Sequence, residues 1–205
     1  MVTKSLTFTF LFVIIFLIVG IIGVNQADAK KEKIKICCTW GYPLKDGVLN
    51  YNFENGDKSL RKMVTQSLDE WEEKIENLEF KKVKKKSDSD IEFKFKKGKG
   101  KKVGKTITYF DSRGFIAFTE VSVSKKSYGY QLDKKTLEHI IKHEIGHVLG
   151  LGHANFAENL MSANVEKIIT EISECEIKGV KKANEWKFVD DKSSPKITNK
   201  KSIRC

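Results

Sequence analysis

The chain has 205 residues, of which 40% are hydrophobic and 32% are charged, and its formal net charge is +11. This length is typical of one domain with a sizeable core, and the hydrophobic content excludes a wholly disordered chain. With 14 glycines and 2 prolines the chain is neither collagen-like nor proline-rich, and its 4 cysteines are too few for a small disulfide scaffold.

The first 29 residues are typical of a targeting segment rather than of a folded domain. Lys4 precedes an almost wholly apolar run at 6–24, and a small-x-small cleavage site ends at Ala29. We expect a secretory signal peptide over 1–29. The alternative is an uncleaved membrane anchor, because about 19 apolar residues can span a bilayer. In either case we expect residues 30–205 to lie outside the cytoplasm, secreted or at the cell surface.

The cysteines would meet an oxidising compartment there, so we expect Cys37, Cys38, Cys175 and Cys205 to form disulfide bonds. Neighbouring cysteines rarely bridge each other. Cys37 and Cys38 are therefore each expected to pair with Cys175 or Cys205, in an order that the sequence leaves open. The alternative is a zinc site built on the Cys37-Cys38 pair, although no C-x-x-C spacing accompanies it.

Alternating and helical patterns then divide the chain into a series of elements. Alternation at 48–53 predicts a strand, and helical spacing of apolar residues predicts an amphipathic helix over 58–78. Four further strands are predicted at 80–83, 91–95, 106–110 and 114–123.

Two more helices are predicted in the second half of the chain. One begins at the N-cap Asp133 and ends at Gly150, and the other begins with the capping box Ser173-x-x-Glu176. We therefore expect one α+β domain with a mixed sheet over residues 30–187, followed by a polar C-terminal tail over 188–205.

The pattern that carries chemistry is HEIGHVLGLGH, which ends at His153. On a helix, His143 and His147 lie one turn apart on the same face, so both imidazoles can bind one zinc ion. Glu144 lies beside them and can accept a proton from a water at the metal. Gly150 permits the turn that brings His153 back as a third ligand. Three protein ligands leave a fourth position open, which is typical of catalytic zinc sites.

A bare H-E-x-x-H pattern also occurs by chance in unrelated helices. Here Gly150 and His153 stand at the required offsets and the helix is predicted independently, so a zinc site is favoured. His139 lies one turn before His143 and is interpreted as an ordinary helix residue near the cleft, not as a fourth ligand.

H-E-x-x-H-x-x-G-x-x-H is the zinc motif of the metzincins. The eight-residue step from His153 to Met161 resembles the matrixin (matrix metalloproteinase) branch of that clan. Weaker similarities to matrixins extend over roughly residues 40–187. They are Trp40, 49–51, Trp71, 89–95, 114–118 and 173–180.

The resemblance implies a metzincin-type α+β fold, a twisted mixed sheet with three helices and an active-site cleft along an edge strand. It implies a zinc-dependent endopeptidase in which His143, His147 and His153 hold one catalytic zinc ion. Glu144 would be the general base, and Met161 would form a hydrophobic floor below the metal.

The resemblance also implies that a peptide or protein substrate adds to the edge strand through backbone hydrogen bonds. The edge strand is expected at Gly114, Phe115, Ile116, Ala117 and Phe118. The specificity pocket is expected between the catalytic helix, near His139 and Ile140, and the segment after Met161.

The sequence departs from the matrixin pattern in four places. No histidine is left for the structural zinc ion of that family, and Phe118 stands where one of its ligands would. The loop for structural calcium is shortened, which leaves a calcium requirement open. Ser162 follows Met161 where a tyrosine is common, so the pocket wall is expected to differ. No inhibitory propeptide fits between Ala29 and the first strand, so we expect any latency to arise otherwise.

Positive charge is concentrated at residues 81–105, which hold 12 lysines against 3 acidic residues. Contact with an anionic surface is one interpretation. We favour the interpretation that these lysines lie on a solvated loop and strand edge, because lysines at an edge also discourage sheet-to-sheet aggregation. Specific nucleic-acid binding is not expected, since arginine is scarce and no aromatic platform interleaves the lysines. We expect a monomer.

The sequence leaves two candidate functions of different kinds. The first is a secreted or surface-anchored zinc endopeptidase. The alternative is a basic module that binds anionic surfaces and holds a structural or inactive zinc site. Glu144 favours the first, because a purely structural site needs no general base.

Overall fold

The computed structural model describes residues 31–98 and 100–205. The predicted targeting segment at 1–29 lies outside the described residues. Across the described ranges, no helix combines the length and the apolar character that crossing a bilayer requires. Residues Glu32–Cys205 form one compact unit. This unit mixes helices with a twisted mixed sheet, so the predicted α+β class is confirmed.

The described residues form ten strands. They are β1 (Lys33–Ile36), β2 (Val48–Phe53), β3 (Glu79–Lys82), β4 (Ile91–Lys96), β5 (Gly104–Phe110), β6 (Ile116–Ser124), β7 (Lys126–Ser127), β8 (Tyr130–Gln131), β9 (Leu151–Ala154) and β10 (Ser202–Arg204). The five strands predicted from the alternation, β2 to β6, all lie within two residues of their predicted positions.

The main sheet follows the order β3-β2-β4-β6-β5, in which every pair is parallel except β5 with β6. Alternate side chains, such as Leu49 and Tyr51 in β2 or Val121 and Val123 in β6, are buried in the core. Two strands therefore form the edges of this sheet, β3 on one side and the antiparallel β5 on the other. β7 and β8 form a separate short hairpin directly after β6.

Helices form where the sequence predicts them. They are α1 (Lys58–Lys74), α2 (Lys134–Val148), α3 (Glu174–Ala183) and the short α4 (Glu185–Phe188). Asp133 caps α2 by accepting a hydrogen bond from the Thr136 backbone N–H, and the capping box of α3 is formed. α1 ends at Lys74 and not at residue 78, because Ile75 is extended and Asn77 has a φ of 64°.

Two tryptophans hold α2 in place. Trp40 and Trp71 are fully buried, and their indole N–H groups donate to the carbonyl oxygens of Val148 at 2.7 Å and Lys142 at 3.3 Å. Large apolar rings with one satisfied polar atom anchor a helix in both position and rotation. α2 is the helix that carries the H-E-x-x-H motif, so the core itself positions the candidate site.

A second, small sheet has the order β10-β1-β9. The predicted polar tail at 188–205 is therefore not a tail along its whole length, since residues 202–204 form β10 beside β1. The strand was missed because SIR is too short to show an alternating pattern. Through β1, the C-terminal strand supports β9, which carries His153.

The disulfide pairing also differs from the prediction. Cys175 bridges Cys205, and Cys37 bridges its neighbour Cys38. β10 pairs antiparallel with β1, so Cys205, which follows β10, lies beside Glu32, which precedes β1. The Cys205 N–H donates to the Glu32 carbonyl oxygen there. Cys37 follows the opposite end of that strand, about 15 Å away at 3.3 Å per residue, so neither Cys37 nor Cys38 meets Cys205.

Candidate metal centre and active site

α2 presents the first two histidines of the motif on one face. The imidazole rings of His143 and His147 are perpendicular, with centroids 4.6 Å apart. One helical turn separates them along the chain, so both half-buried side chains project from one face of α2 toward the same point.

Gly150 ends α2 and redirects the chain into β9. Its φ of 95° is a left-handed conformation that favours glycine. A Cβ atom there would also lie 2.3 Å from the Cys38 carbonyl oxygen. The turn brings His153 within 4.8 Å of His147 and 5.4 Å of His143, measured between ring centroids. The structure therefore brings all three predicted ligands together, with their ligand atoms within 4.8 Å of one another.

Backbone carbonyls orient two of the rings. Nδ1 of His143 lies 2.7 Å from the Leu160 carbonyl oxygen, and Nδ1 of His147 lies 2.8 Å from that of Leu151. Each ring then donates a hydrogen bond through its Nδ1–H group. Its unprotonated Nε2 is left to bind a metal. Burial lowers the pKa of His143 to about 3 and also lowers the pKa of His147 and of His153, so the three rings stay uncharged. This donor set fits zinc.

Met161 lies directly beneath α2. It is fully buried, and a Cβ atom on Gly146 would lie 2.4 Å from its sulfur. The Met161 carbonyl oxygen accepts the backbone N–H of Ala154 at 2.7 Å, which joins this turn to β9. Glycine between the two helix histidines is therefore what permits the methionine to approach the metal centre.

The Glu144 carboxylate is buried beside the histidines, with 5% of the residue exposed. Burial raises its pKa to about 7, although a hydrogen bond from Thr106 opposes that rise. The Thr106 hydroxyl donates to Oε2 at 2.6 Å. Gly104 lies so close that a Cβ atom there would be 2.2 Å from Oε1. Sequence reasoning missed both contacts, because Gly104 and Thr106 lie about 40 residues before Glu144 and belong to no motif.

Residues 114–118 are not the edge strand, contrary to the expectation. In β6, Ile116 and Phe118 pair with Phe110 and Tyr109 of β5, while Thr119 pairs with Ile91 of β4. The free edge beside Glu144 belongs to β5. The error has a simple cause: an antiparallel hairpin presents two similar strands, and nothing local indicates which one lies outside.

His139 is not brought to the metal centre. It is buried, with Nδ1 2.6 Å from the Ile169 carbonyl oxygen, and its ring centroid lies 6.2 Å from that of His143. Burial lowers its pKa. The neighbouring Lys142 was missed by sequence reasoning. Its ammonium group is buried and bonds the Thr170 carbonyl oxygen at 2.6 Å. Two residues of α2 thus bind the segment after Met161.

One of three comparisons with known proteins, the match to a family, agrees with the motif. The sequence model of the matrixin family matches residues 43–183, more than half of the chain. No curated protein has a significant match. Two solved structures of myroilysin are similar, each at 19% identity, with TM-scores of 0.41 and 0.38. They cover 59% and 58% of this chain, which in turn covers 54% and 52% of theirs, about half of their length.

Proposed function

Because this chain belongs to the matrixin family of zinc metallopeptidases, we propose that it is a zinc-dependent endopeptidase. One observation carries the proposal. His143, His147 and His153 form a group of neutral nitrogen donors beside the buried carboxylate of Glu144. Such a carboxylate favours catalysis over a structural role, because a structural site needs no general base.

The residues of the site have separate tasks. Zinc held by the three histidines would supply a Lewis acid that polarises the scissile carbonyl group and activates a water. Glu144 accepts the proton of the attacking water and later delivers it to the nitrogen of the leaving amine. Since Thr106 holds Oε2, we assign this proton transfer to Oε1.

The substrate is expected to join the free edge of β5 as an additional strand. Among the described residues β5 pairs with β6 alone, and its residues Gly104 and Thr106 contact Glu144. Backbone hydrogen bonds to β5 would hold an extended peptide across the metal centre and supply affinity with little dependence on sequence. This arrangement replaces the predicted role of 114–118.

We also propose that the enzyme acts outside the cytoplasm, either secreted or anchored at the cell surface. The apolar run at 6–24 and the small residues that end at Ala29 support this proposal. Expression of the whole chain followed by fractionation tests it. The N-terminus of the exported protein then reveals whether residues 1–29 are removed, and retention of the protein in the cytoplasm contradicts the proposal.

The first experiment compares the zinc-loaded protein with Glu144→Ala on a mixture of unfolded proteins, with new peptide termini read by mass spectrometry. We expect cuts from the parent, none from Glu144→Ala, and parental activity from the control Glu76→Ala, an exposed glutamate on the loop after α1. Removal of zinc with a chelator should abolish the cuts, and added zinc should restore them. No cuts from a parent that binds one zinc ion would overturn the endopeptidase proposal.

A further inference from the structure

We propose that the lysines before and at the start of β5 form a subsite for acidic residues of the substrate, on the C-terminal side of the bond that is cut. This inference rests on the proposed peptidase function and adds the class of substrate to it. The subsite, here called the lysine loop, comprises residues 96–98 and 100–105. Its described lysines are Lys96, Lys97, Lys101, Lys102 and Lys105.

The lysine loop carries positive charge without local compensation. All five of these lysines are exposed, and none of them forms an ion pair with a described residue. Other lysines nearby are paired, since Lys86 bonds Glu92, Lys94 bonds Glu120, and Lys125 bonds Asp57. An anionic group that reaches the lysine loop therefore gains Coulomb energy without first breaking an existing pair.

The lysine loop is held in place by the structure around it. The Ser124 N–H donates to Val103 at 2.8 Å, and the Tyr128 N–H donates to Gly100 at 3.2 Å. These bonds tie the loop to the end of β6 and to the hairpin of β7 and β8. The loop lines a cavity of about 240 Å³ together with residues 122–124. A ligand therefore meets a shaped cavity as well as exposed ammonium groups.

The lysine loop is also continuous with the candidate active site. It runs directly into Gly104, the residue that lies against the Glu144 carboxylate. A substrate strand along the free edge of β5 must then leave the metal centre either toward this loop or toward Phe110. Beyond Phe110 the positive charge of Arg113 is already paired with Asp111, whereas the lysine loop offers unpaired positive charge.

The direction of the substrate strand decides which side of the bond meets the lysines. Antiparallel pairing is slightly more stable per residue than parallel pairing, so we expect the substrate to run antiparallel to β5. Its residues after the scissile bond then pass Gly104 and approach Lys102 and Lys101. At about 3.4 Å per residue, acidic side chains within about four residues of the bond come within reach of these lysines.

An anionic membrane is the other partner that a basic surface could take. A membrane could equally contact the exposed lysines at 81–85, which lie in the last half of β3 and just after it, at the opposite edge of the sheet. The continuity of the lysine loop with β5 is specific to a substrate in the groove. We therefore commit to an acidic peptide.

The first arm of the test measures cleavage of a peptide library by the zinc-loaded protein, with the sequence around each cut read by mass spectrometry. Exposed ion pairs contribute about 0.2–1 kcal/mol each, so two of them should enrich Asp and Glu after the cut about fivefold over Asn and Gln. In Lys101→Gln/Lys102→Gln this enrichment should fall below about twofold. The matched control Lys84→Gln/Lys85→Gln removes the same charge at the opposite edge and should retain the enrichment.

The second arm separates the subsite from catalysis. In a Glu144→Ala background, fluorescence anisotropy compares a labelled twelve-residue peptide rich in Glu with its Gln counterpart, with and without Lys101→Gln/Lys102→Gln. Tighter binding of the Glu peptide that depends on these lysines and weakens at high salt supports the subsite even if the parent cuts nothing. Three outcomes would overturn the subsite while leaving the peptidase proposal intact. They are cuts without acidic enrichment, enrichment on the N-terminal side of the cut, and lysine-dependent binding to phosphatidylserine vesicles alone.

Discussion

Thr106 is the residue that orients the Glu144 carboxylate. Its hydroxyl donates to Oε2 at 2.6 Å, and Gly104, two residues earlier, lies against Oε1. β5 thus contacts both oxygens of the general base. A carboxylate held in this way needs no reorganisation when the reaction begins, and such pre-organisation contributes to rate more than to substrate binding.

We expect Thr106→Val, which keeps the shape of the side chain and removes the hydroxyl, to lower kcat about tenfold. A lost hydrogen bond to a charged group costs about 1.5–3 kcal/mol, which is enough for this effect. KM should change less than about twofold, and Thr106→Ser should keep most of kcat. Steady-state kinetics on a fluorogenic peptide measures both constants. Parental kcat in the valine variant would show that the hydroxyl does not position Glu144.

Among the secondary-structure elements, α2 is held by three contacts. Trp40 and Trp71 donate to its carbonyl oxygens from the core, and Met161 lies beneath Gly146. The helix has little room to shift, since interiors are close-packed and transmit strain. The distance between the metal-ligating nitrogens therefore depends on how closely Met161 approaches α2.

Gly146→Ala tests this close approach. The added Cβ atom would lie 2.4 Å from the Met161 sulfur, so we expect zinc affinity to fall at least about tenfold, as for other changes in residues behind metal ligands. The double variant Gly146→Ala/Met161→Ala makes room for the new methyl group and should recover most of the affinity. Gly100→Ala is the control, because no atom lies within 4 Å of its new Cβ. Competition with a zinc-binding dye measures the affinities, and unchanged binding in Gly146→Ala would contradict the argument.

At the scale of the whole molecule, the two ends of the described unit meet behind the third metal ligand. β1 lies between β10 and β9, and Cys175 bridges Cys205 at the last residue of the chain. The Cys37 N–H also donates to the Gly150 carbonyl oxygen at 2.9 Å, within the turn that leads to His153. Stability of the C-terminal strand is therefore coupled to the position of His153.

Removal of the Cys175–Cys205 bridge should destabilise the fold markedly. The bridge spans 30 residues, so loop-closure entropy predicts a loss of roughly 3.6 kcal/mol in the free energy of unfolding for Cys175→Ser/Cys205→Ser. Cys37→Ser/Cys38→Ser opens a bridge between adjacent residues and should cost far less by the same argument. Urea unfolding of the zinc-loaded variants measures both. Equal losses in the two double variants would refute the loop-length explanation.

Local sequence patterns were enough to predict the family, the metal-ligating residues and the positions of the helices. His143, Glu144 and His147 lie within five residues of one another, and the helical repeat alone places both histidines on one face. The caps at Asp133 and Ser173 are equally local. Patterns of this kind can be predicted because each depends on backbone geometry over one or two turns.

Other features depend on how distant segments pack together. These are which strand forms the edge, which cysteines pair, where residues 202–204 lie and what contacts Glu144. The edge is β5 and not 114–118, and Thr106 reaches Glu144 across 38 positions of sequence. Residues 202–204 become a strand because β1 offers a free edge, and this pairing brings Cys205 to Cys175 and not to Cys37. Each outcome depends on contacts between segments that are far apart in the sequence. The free energy of such non-local pairing cannot be read from a local pattern.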